Sequence, residues 1–370
     1  MINVTKCFLP PMEEYIALLK TAWDKAWITN SGPLAQELEK QLAAHLGVKH
    51  VLFCSNGTIV LQMILKAYKI TGEVITTPFS YVATTNVLLW ENCTPVFVDI
   101  EPQSFCIDPS KIEAAITSKT QAILATHVYG YPCAAEQIEA IAKKHGLKVI
   151  YDGAHAFDAF YNGRQVLSYG DVSTCSFHAT KLFHTVEGGC IVTNNDELAP
   201  QLKLYRSFGH IGDEYFDIGV NGKNSEFHAA MGLCNLKHLT AIKEGRKQVS
   251  DLYELLLKDI FLQRPVGISS SVYNYAYYPV VFSSEEVLLK VWKALQNEQV
   301  NTRRYFYPSL NRLPFLKNMQ PCPVAEDIAR RVLCLPLYND LPHEDVQRIC
   351  TVINNEVGKR EVPATFSLSH

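Results

Sequence analysis

The chain has 370 residues, 48% of them hydrophobic, and a formal net charge of -3. That length and composition supply a large buried core and suit two lobes. The near-neutral balance offers no surface built for nucleic acid or anionic membrane, and no run approaches the ~20 apolar residues of a membrane span.

The opening Met1-Ile-Asn-Val-Thr-Lys-Cys-Phe-Leu-Pro-Pro11 lacks a signal-peptide apolar stretch, so a cytoplasmic protein is expected. An amphipathic stretch over Glu13–Ala26 leads to a loop of turn residues, Trp27-Ile-Thr-Asn-Ser-Gly-Pro33. Helix is predicted over Pro33–Leu46, stopped by Gly47, then a strand over His50–Cys54 and an apolar helix over Thr58–Tyr68. Strand patterns recur at Glu73–Thr77, Pro95–Ile100, Gln121–Thr126, Leu147–Tyr151, Val172–Phe177 and Cys190–Thr193. Helices fit between several of them, as at Ala135–His145. This alternation predicts an α/β chain around a mostly parallel sheet covered on both faces.

Beyond about Leu236 the pattern changes. A polar-faced helix over Ala241–Leu257 precedes an aromatic-rich strand over Tyr273–Phe282. Helix Glu285–Gln296, strand Val332–Pro336 and a closing helix His343–Asn355 follow. We therefore expect a large domain over residues 1–236 and a smaller α+β domain over 237–370. The eleven cysteines include no CxxC pair, and several lie in apolar runs such as Phe53-Cys54, the pattern of buried free thiols.

Four places between elements carry polar chemistry. Ser55-Asn-Gly-Thr58 joins a strand to a helix and is either an ordinary cap or an anion cradle of helix N–H groups and hydroxyls. In Thr77-Pro-Phe-Ser-Tyr-Val-Ala-Thr84, Phe79 or Tyr81 could lie flat on an aromatic ligand, and either could equally be core. Asp152 closes a buried strand and His155 follows three residues on. Asp152 is either a turn cap or the anion that keeps a pyridine nitrogen protonated; His155 is either core or a partner for that ring's other polar edge. Lys181 lies in Cys175-Ser-Phe-His-Ala-Thr-Lys181 among Phe177, Leu182 and Phe183, before Glu187-Gly-Gly189. Apolar surroundings strip an amine of hydration, which lowers its pKa and makes it a nucleophile. Ser176 could be a second phosphate donor. A strand-end lysine with a strand-end carboxylate is the pair that pyridoxal 5′-phosphate chemistry needs. GxGxxG, P-loop, HExxH and GxSxG signatures and metal-ligand spacings do not occur in suitable places.

Taken in order, these motifs resemble the DegT/DnrJ/EryC1/StrS sugar aminotransferases. So do Pro95-Val-Phe-Val-Asp99, His127-Val-Tyr-Gly130, Tyr151-Asp-Gly-Ala-His-Ala156, Asn221-Gly-Lys-Asn-Ser-Glu-Phe-His-Ala-Ala230 and Leu335-Pro-Leu337. The resemblance is collinear over essentially the whole chain. It implies a type I PLP-dependent aminotransferase fold working as a homodimer with shared active sites, with pyridoxamine phosphate as the intermediate cofactor form. Lys181 would link to the cofactor and Asp152 would pair with its ring nitrogen. His155 would sit by the ring hydroxyl and Tyr81 would stack, which favours Tyr81 over Phe79. Gly57, Thr58 and Ser176 would hold the phosphate, joined by Asn221 of the partner subunit. Gly153 and Asn224 depart from the family's usual Ala and Met.

Phe8-Leu-Pro-Pro11 and Trp27–Pro33, with the blocks around Thr84 and Lys181, look most like enzymes that aminate C4 of dTDP-4-keto-6-deoxyglucose. L-glutamate would be the donor and an O-antigen-type aminosugar pathway the setting. The resemblance leaves two alternatives, a 3-keto or other nucleotide-linked keto sugar as substrate, and a PLP- or PMP-dependent sugar dehydratase. Dehydratases of the family carry His in place of the lysine, so Lys181 stands against the second. His178, His184, His210, Tyr305 and Tyr307 are candidate sugar or nucleotide contacts.

Overall fold

A computed structural model of the chain describes residues 1–260, 262–317 and 319–358. Seven strands form the central sheet: β1 (His50–Cys54), β2 (Glu73–Thr76), β3 (Thr94–Phe97), β4 (Thr120–Thr126), β5 (Lys148–Asp152), β6 (Val172–Ser176) and β7 (Gly189–Thr193). Their spatial order is β1-β7-β6-β5-β4-β2-β3. The neighbours from β6 to β3 pair in parallel, and only β7 runs against its two neighbours. The first residue of β7 therefore lies at the edge where the other strands end: Gly189 faces both Cys54 and Ser176, and Asp152 faces both Thr126 and Thr174. This is the expected mostly parallel sheet, with one reversed strand.

Successive side chains of a strand point to opposite faces. Ile123, Ala125, Val149 and Tyr151 accordingly enter one core, while Ala122, Leu124 and Ile150 enter the opposite one. Both faces are covered, so β4 and β5 read as continuous apolar runs rather than alternations.

The covering helices are α1 (Met12–Trp23), α2 (Pro33–Leu46), α3 (Gly57–Ala67), α4 (Val82–Trp90), α5 (Ala135–His145), α6 (Leu198–Arg206) and α7 (Glu226–Leu257). Helix α2 ends at Gly47, whose φ of 63° places it in the left-handed region, as its position after the periodic stretch implied. Helix α4 buries Thr84, Thr85, Val87 and Leu88 on one face and exposes Trp90 on the other, so polar and apolar residues do not separate by face and its sequence shows no period. Helix α7 starts at Glu226 rather than Ala241. Its first two turns and beyond, Ala229 to Asn235, are buried on every side, which hides the 3.6-residue pattern there. The division expected at 236 lies inside this helix. Its side chains change from the sheet-side core to the C-terminal core between Ile242 and Val249.

The C-terminal layer comprises β8 (Tyr278–Val281), α8 (Glu285–Asn297), α9 (Pro323–Arg331), β9 (Val332–Leu335) and α10 (His343–Val357), with β8 and β9 antiparallel. The strand expected over Tyr273–Phe282 is thus shorter. Arg246 on α7 donates to the carbonyls of Tyr275 and Ala276, which occupies backbone that a sheet would otherwise pair. All eleven cysteines are free and only Cys7 is exposed. No helix among the described residues is long and apolar enough to cross a membrane.

Helix α2 begins at a glycine that has no side chain to cap it. The buried Glu226 carboxylate, from the first turn of α7, accepts the N–H groups of Leu34 at 2.6 Å and Ala35 at 3.1 Å instead. Glu226→Ala leaves both donors unsatisfied and should lower unfolding free energy by roughly 3 kcal/mol. Urea unfolding is expected to show a lower midpoint with an unchanged slope, and Glu226→Gln a smaller loss.

Candidate active site

The segment between β6 and β7 is a compact loop. Phe177 N–H donates to Gly188 O, Thr185 N–H to Phe177 O and Ala179 N–H to Val186 O. Phe177 and Phe183 are fully buried and pack against Phe157, edge-on and stacked respectively. This anchoring presents Lys181, half-buried, into a cavity of about 270 Å³ at the strand-end edge. Its Nζ donates to Tyr277 Oη at 3.3 Å. Loss of hydration brings the amine down from 10.5 to about 8; Asp152 opposes that shift and Arg303 adds to it.

Asp152, at the end of β5, is buried on the same cavity. Its Oδ2 accepts from Thr84 Oγ1 at 2.8 Å and its Oδ1 from Ala154 N–H at 3.1 Å. Burial pushes this carboxyl above its ordinary value, while the two hydrogen bonds and the charge of Lys181 pull it back. His155 is also buried, and desolvation holds it well below its usual value, hence neutral. Tyr129 N–H donates to its Nδ1 at 3.3 Å, which leaves the proton on Nε2 and makes that nitrogen a donor. Asn274 secures this turn by donating to His155 O and Phe157 O, both at 2.8 Å.

Phe79 and Tyr81 have different fates. Phe79 is fully buried, edge-on to Phe105, Tyr129 and Phe306. Tyr81 is 54% exposed and lines the cavity. Gly57, Thr58 and Ser176 line its other end. The cradle differs from the expected one, because Asn56 Oδ1 takes the N–H groups of Thr58 and Ile59. The groups left for an anion are the Gly57 N–H and the hydroxyls of Thr58 and Ser176. A Cβ at Gly57 would lie 2.9 Å from Ser176 Cβ, so glycine keeps this cradle open. Asn221 is exposed and does not line this chain's own cavity.

A DegT/DnrJ/EryC1/StrS aminotransferase family model matches residues 11–354. The dTDP-4-amino-4,6-dideoxy-D-glucose transaminase of Shigella dysenteriae is 42% identical over 359 residues, 95% of this chain and 98% of that one. The transaminase of the same name from Escherichia coli is 40% identical over 369 residues, with the same coverage of both chains. This chain belongs to the DegT/DnrJ/EryC1/StrS aminotransferase family. Solved structures agree. DesI, crystallised in the presence of its TDP-sugar product, superposes with a TM-score of 0.90 at 32% identity, covering 96% of this chain and 92% of that one. PseC of Helicobacter pylori gives a TM-score of 0.89 at 27% identity, covering 96% and 99%.

Enzymes of this family depend on pyridoxal 5′-phosphate, and the cavity fits that group. It offers a depressed amine, a buried carboxylate, a neutral imidazole donor, an exposed aromatic ring and a hydroxyl cradle kept open by Gly57. The two departures from the family pattern also have local reasons. A Cβ at Gly153 would lie 2.8 Å from the backbone oxygen of Thr174, so alanine would force that strand end to shift. Asn224 donates to Cys54 O and Glu187 O, tying its segment to the β1 end and the lysine loop.

Of the suggested sugar or nucleotide contacts, His178 and Tyr305 line the cavity. His184 is buried against Phe8 O, His210 bonds Gly212 O, and Tyr307 lies under the Arg304 guanidinium. Sequence reading missed Thr84, Tyr277, Arg303 and Phe306. Three of these come from the C-terminal layer, where nothing in the local pattern signals a return to the sheet edge. Thr84 closes the Thr77–Thr84 block already singled out, but its hydroxyl meets Asp152 only through the fold, 68 residues along the chain.

The depressed amine sets a pH dependence. Lysine becomes nucleophilic as it loses its proton, so covalent attachment of pyridoxal 5′-phosphate to apoenzyme should speed up with rising pH. The rate should level off above about 8 rather than above the ordinary 10.5. Stopped-flow absorbance measures it. Arg303→Gln removes a positive neighbour and should move the inflection upward.

Proposed function

We propose that this PLP-dependent aminotransferase converts dTDP-4-keto-6-deoxy-D-glucose to dTDP-4-amino-4,6-dideoxy-D-glucose, with L-glutamate as amino donor. One observation carries the chemistry: Lys181 and Asp152 share a single cavity at the strand-end edge. Identity of 40–42% over nearly the full length to two transaminases of that name supports the substrate.

Pyridoxal 5′-phosphate, when bound, supplies an aldehyde that condenses with amines and a ring that accepts electrons. Gly57, Thr58 and Ser176 would hold its phosphate and Tyr81 would cover its ring. Asp152 would offer its anion to the ring nitrogen, and His155 would donate from Nε2 to the ring oxygen. Lys181, whose depressed pKa favours the neutral nucleophilic amine, would be the cofactor's covalent anchor. As a free amine it would be a base beside the substrate carbon that must lose a proton, and then the acid that returns it. A proton carrier so placed contributes ~10²–10⁴-fold. Tyr277 keeps that amine aimed across the cavity.

We further propose a cytoplasmic homodimer that acts in deoxyaminosugar synthesis for O-antigen lipopolysaccharide. Asn221 of the partner subunit would complete each phosphate site. Ile211, Tyr215, Phe216 and Ile218 are exposed on the segment leading to Asn221, apolar surface that a second subunit would cover.

Lys181→Ala should abolish turnover, a loss of at least ~10⁴-fold. Mass spectrometry of the nucleotide sugar made from ¹⁵N-glutamate reads this directly; sustained labelling by the variant would overturn the lysine assignment. Amination of a GDP- or UDP-linked keto sugar in place of the dTDP sugar would overturn the substrate. Shared sites give a separate test. Lys181→Ala and Asn221→Ala subunits, each impaired alone, should regain roughly a quarter of wild-type activity after random mixing, because one site of each mixed dimer is intact. No recovery would refute partner-supplied Asn221.

A further inference from the structure

Behind Asp152 lies a file of hydroxyls with no surface outlet. Thr84 Oγ1 donates to Asp152 Oδ2 at 2.8 Å, Ser80 Oγ lies 2.8 Å from Thr84 Oγ1, and Thr126 Oγ1 donates to Ser80 Oγ at 3.1 Å. Thr84, Ser80 and Thr126 are 0%, 2% and 1% exposed. They come from three elements: the first turn of α4, the loop after β2, and the end of β4. Counting protons fixes the direction of the file. A hydroxyl has one proton to give. Thr84 gives its own to the carboxylate, so Ser80 must give its proton to Thr84, and Thr126 must give its proton to Ser80. All three dipoles then point at Asp152, and hydrogen bonds so aligned polarise one another.

We propose that Thr84, backed by Ser80 and Thr126, is a positioning residue that keeps Asp152 an anion and so holds the shared proton on the cofactor's ring nitrogen. The inference rests on the reading of Asp152 as the ring-nitrogen partner. Buried carboxylates favour the protonated form, so a bare Asp152 would draw that proton onto its own oxygen and leave the ring a poorer electron acceptor. Other titratable groups facing Asp152 do little to prevent this. The thiols of Cys133 and Cys175 are pushed up by burial and stay protonated, while His127 and His155 are pushed down and stay neutral. Lys181 supplies positive charge only while it is free and protonated. The hydroxyl file is present throughout the cycle.

The test loads each enzyme with pyridoxal 5′-phosphate labelled with ¹⁵N in the ring and reads the nitrogen resonance, which separates protonated from unprotonated pyridine. Wild type should show the protonated position, and Asp152→Asn should move it fully. Thr84→Val, which keeps the shape and removes the donor, should shift the proton partition by about tenfold. Thr84→Ser should restore the wild-type position, and Ser80→Ala should move it less than Thr84→Val. A merely structural role would lower unfolding temperature without moving this resonance. A wild-type resonance in Thr84→Val overturns the proposal. If that variant does not fold, Ser80→Ala decides, and an unmoved resonance there overturns it equally. Should Asp152→Asn itself leave the resonance in place, the assignment of Asp152 fails and this inference falls with it.

Discussion

Keeping a lysine amine and an aspartate carboxylate in one poorly hydrated cavity is the constraint on which this structure turns. Each alone would be costly to bury, and each eases the other's cost through its charge. The surroundings complete the compensation with specific partners: Thr84 and Ala154 donate to the carboxylate, and Tyr277 Oη accepts from the amine. Groups balanced this way have shifted proton affinities, which is why they are chemically useful.

The sheet supplies the common meeting place. Parallel strands put all their carboxyl ends on one side, where α/β proteins gather ligands. Reversal of β7 lets the chain turn back after Ser176, spend twelve residues in the lysine loop, and re-enter the sheet between β6 and β1. The lysine is thus carried on a loop pinned at both ends by strands, with buried phenylalanines beneath it.

Much of this was legible beforehand, because buried strands and their punctuation leave strong local marks. The seven strands, the Gly47 stop, and the cavity positions of Lys181, Asp152, His155, Tyr81, Gly57, Thr58 and Ser176 all come from such marks, from order along the chain, or from resemblance. What escaped notice lacked a local mark. Helix α4 buries threonines and exposes a tryptophan, and the start of α7 is buried all round, so no apolar period distinguishes a face. The donors of the anion cradle were overcounted because Asn56 could cap its own helix or leave it uncapped, and only the coordinates of its side chain decide that. Tyr277, Arg303 and Phe306 reach the cavity by tertiary folding across more than a hundred residues from Lys181 or close to it, and no spacing rule spans that distance.

The C-terminal layer has one further meaning. Tyr277, Arg303, Tyr305 and Phe306 form the roof over the lysine loop. Strip that roof away and the amine would be rehydrated, returning to the ordinary alkaline behaviour of a surface lysine even with its own loop intact. The nucleophile is therefore a property of the entire polypeptide, and the sheet half cannot be cut out as an independent catalytic module.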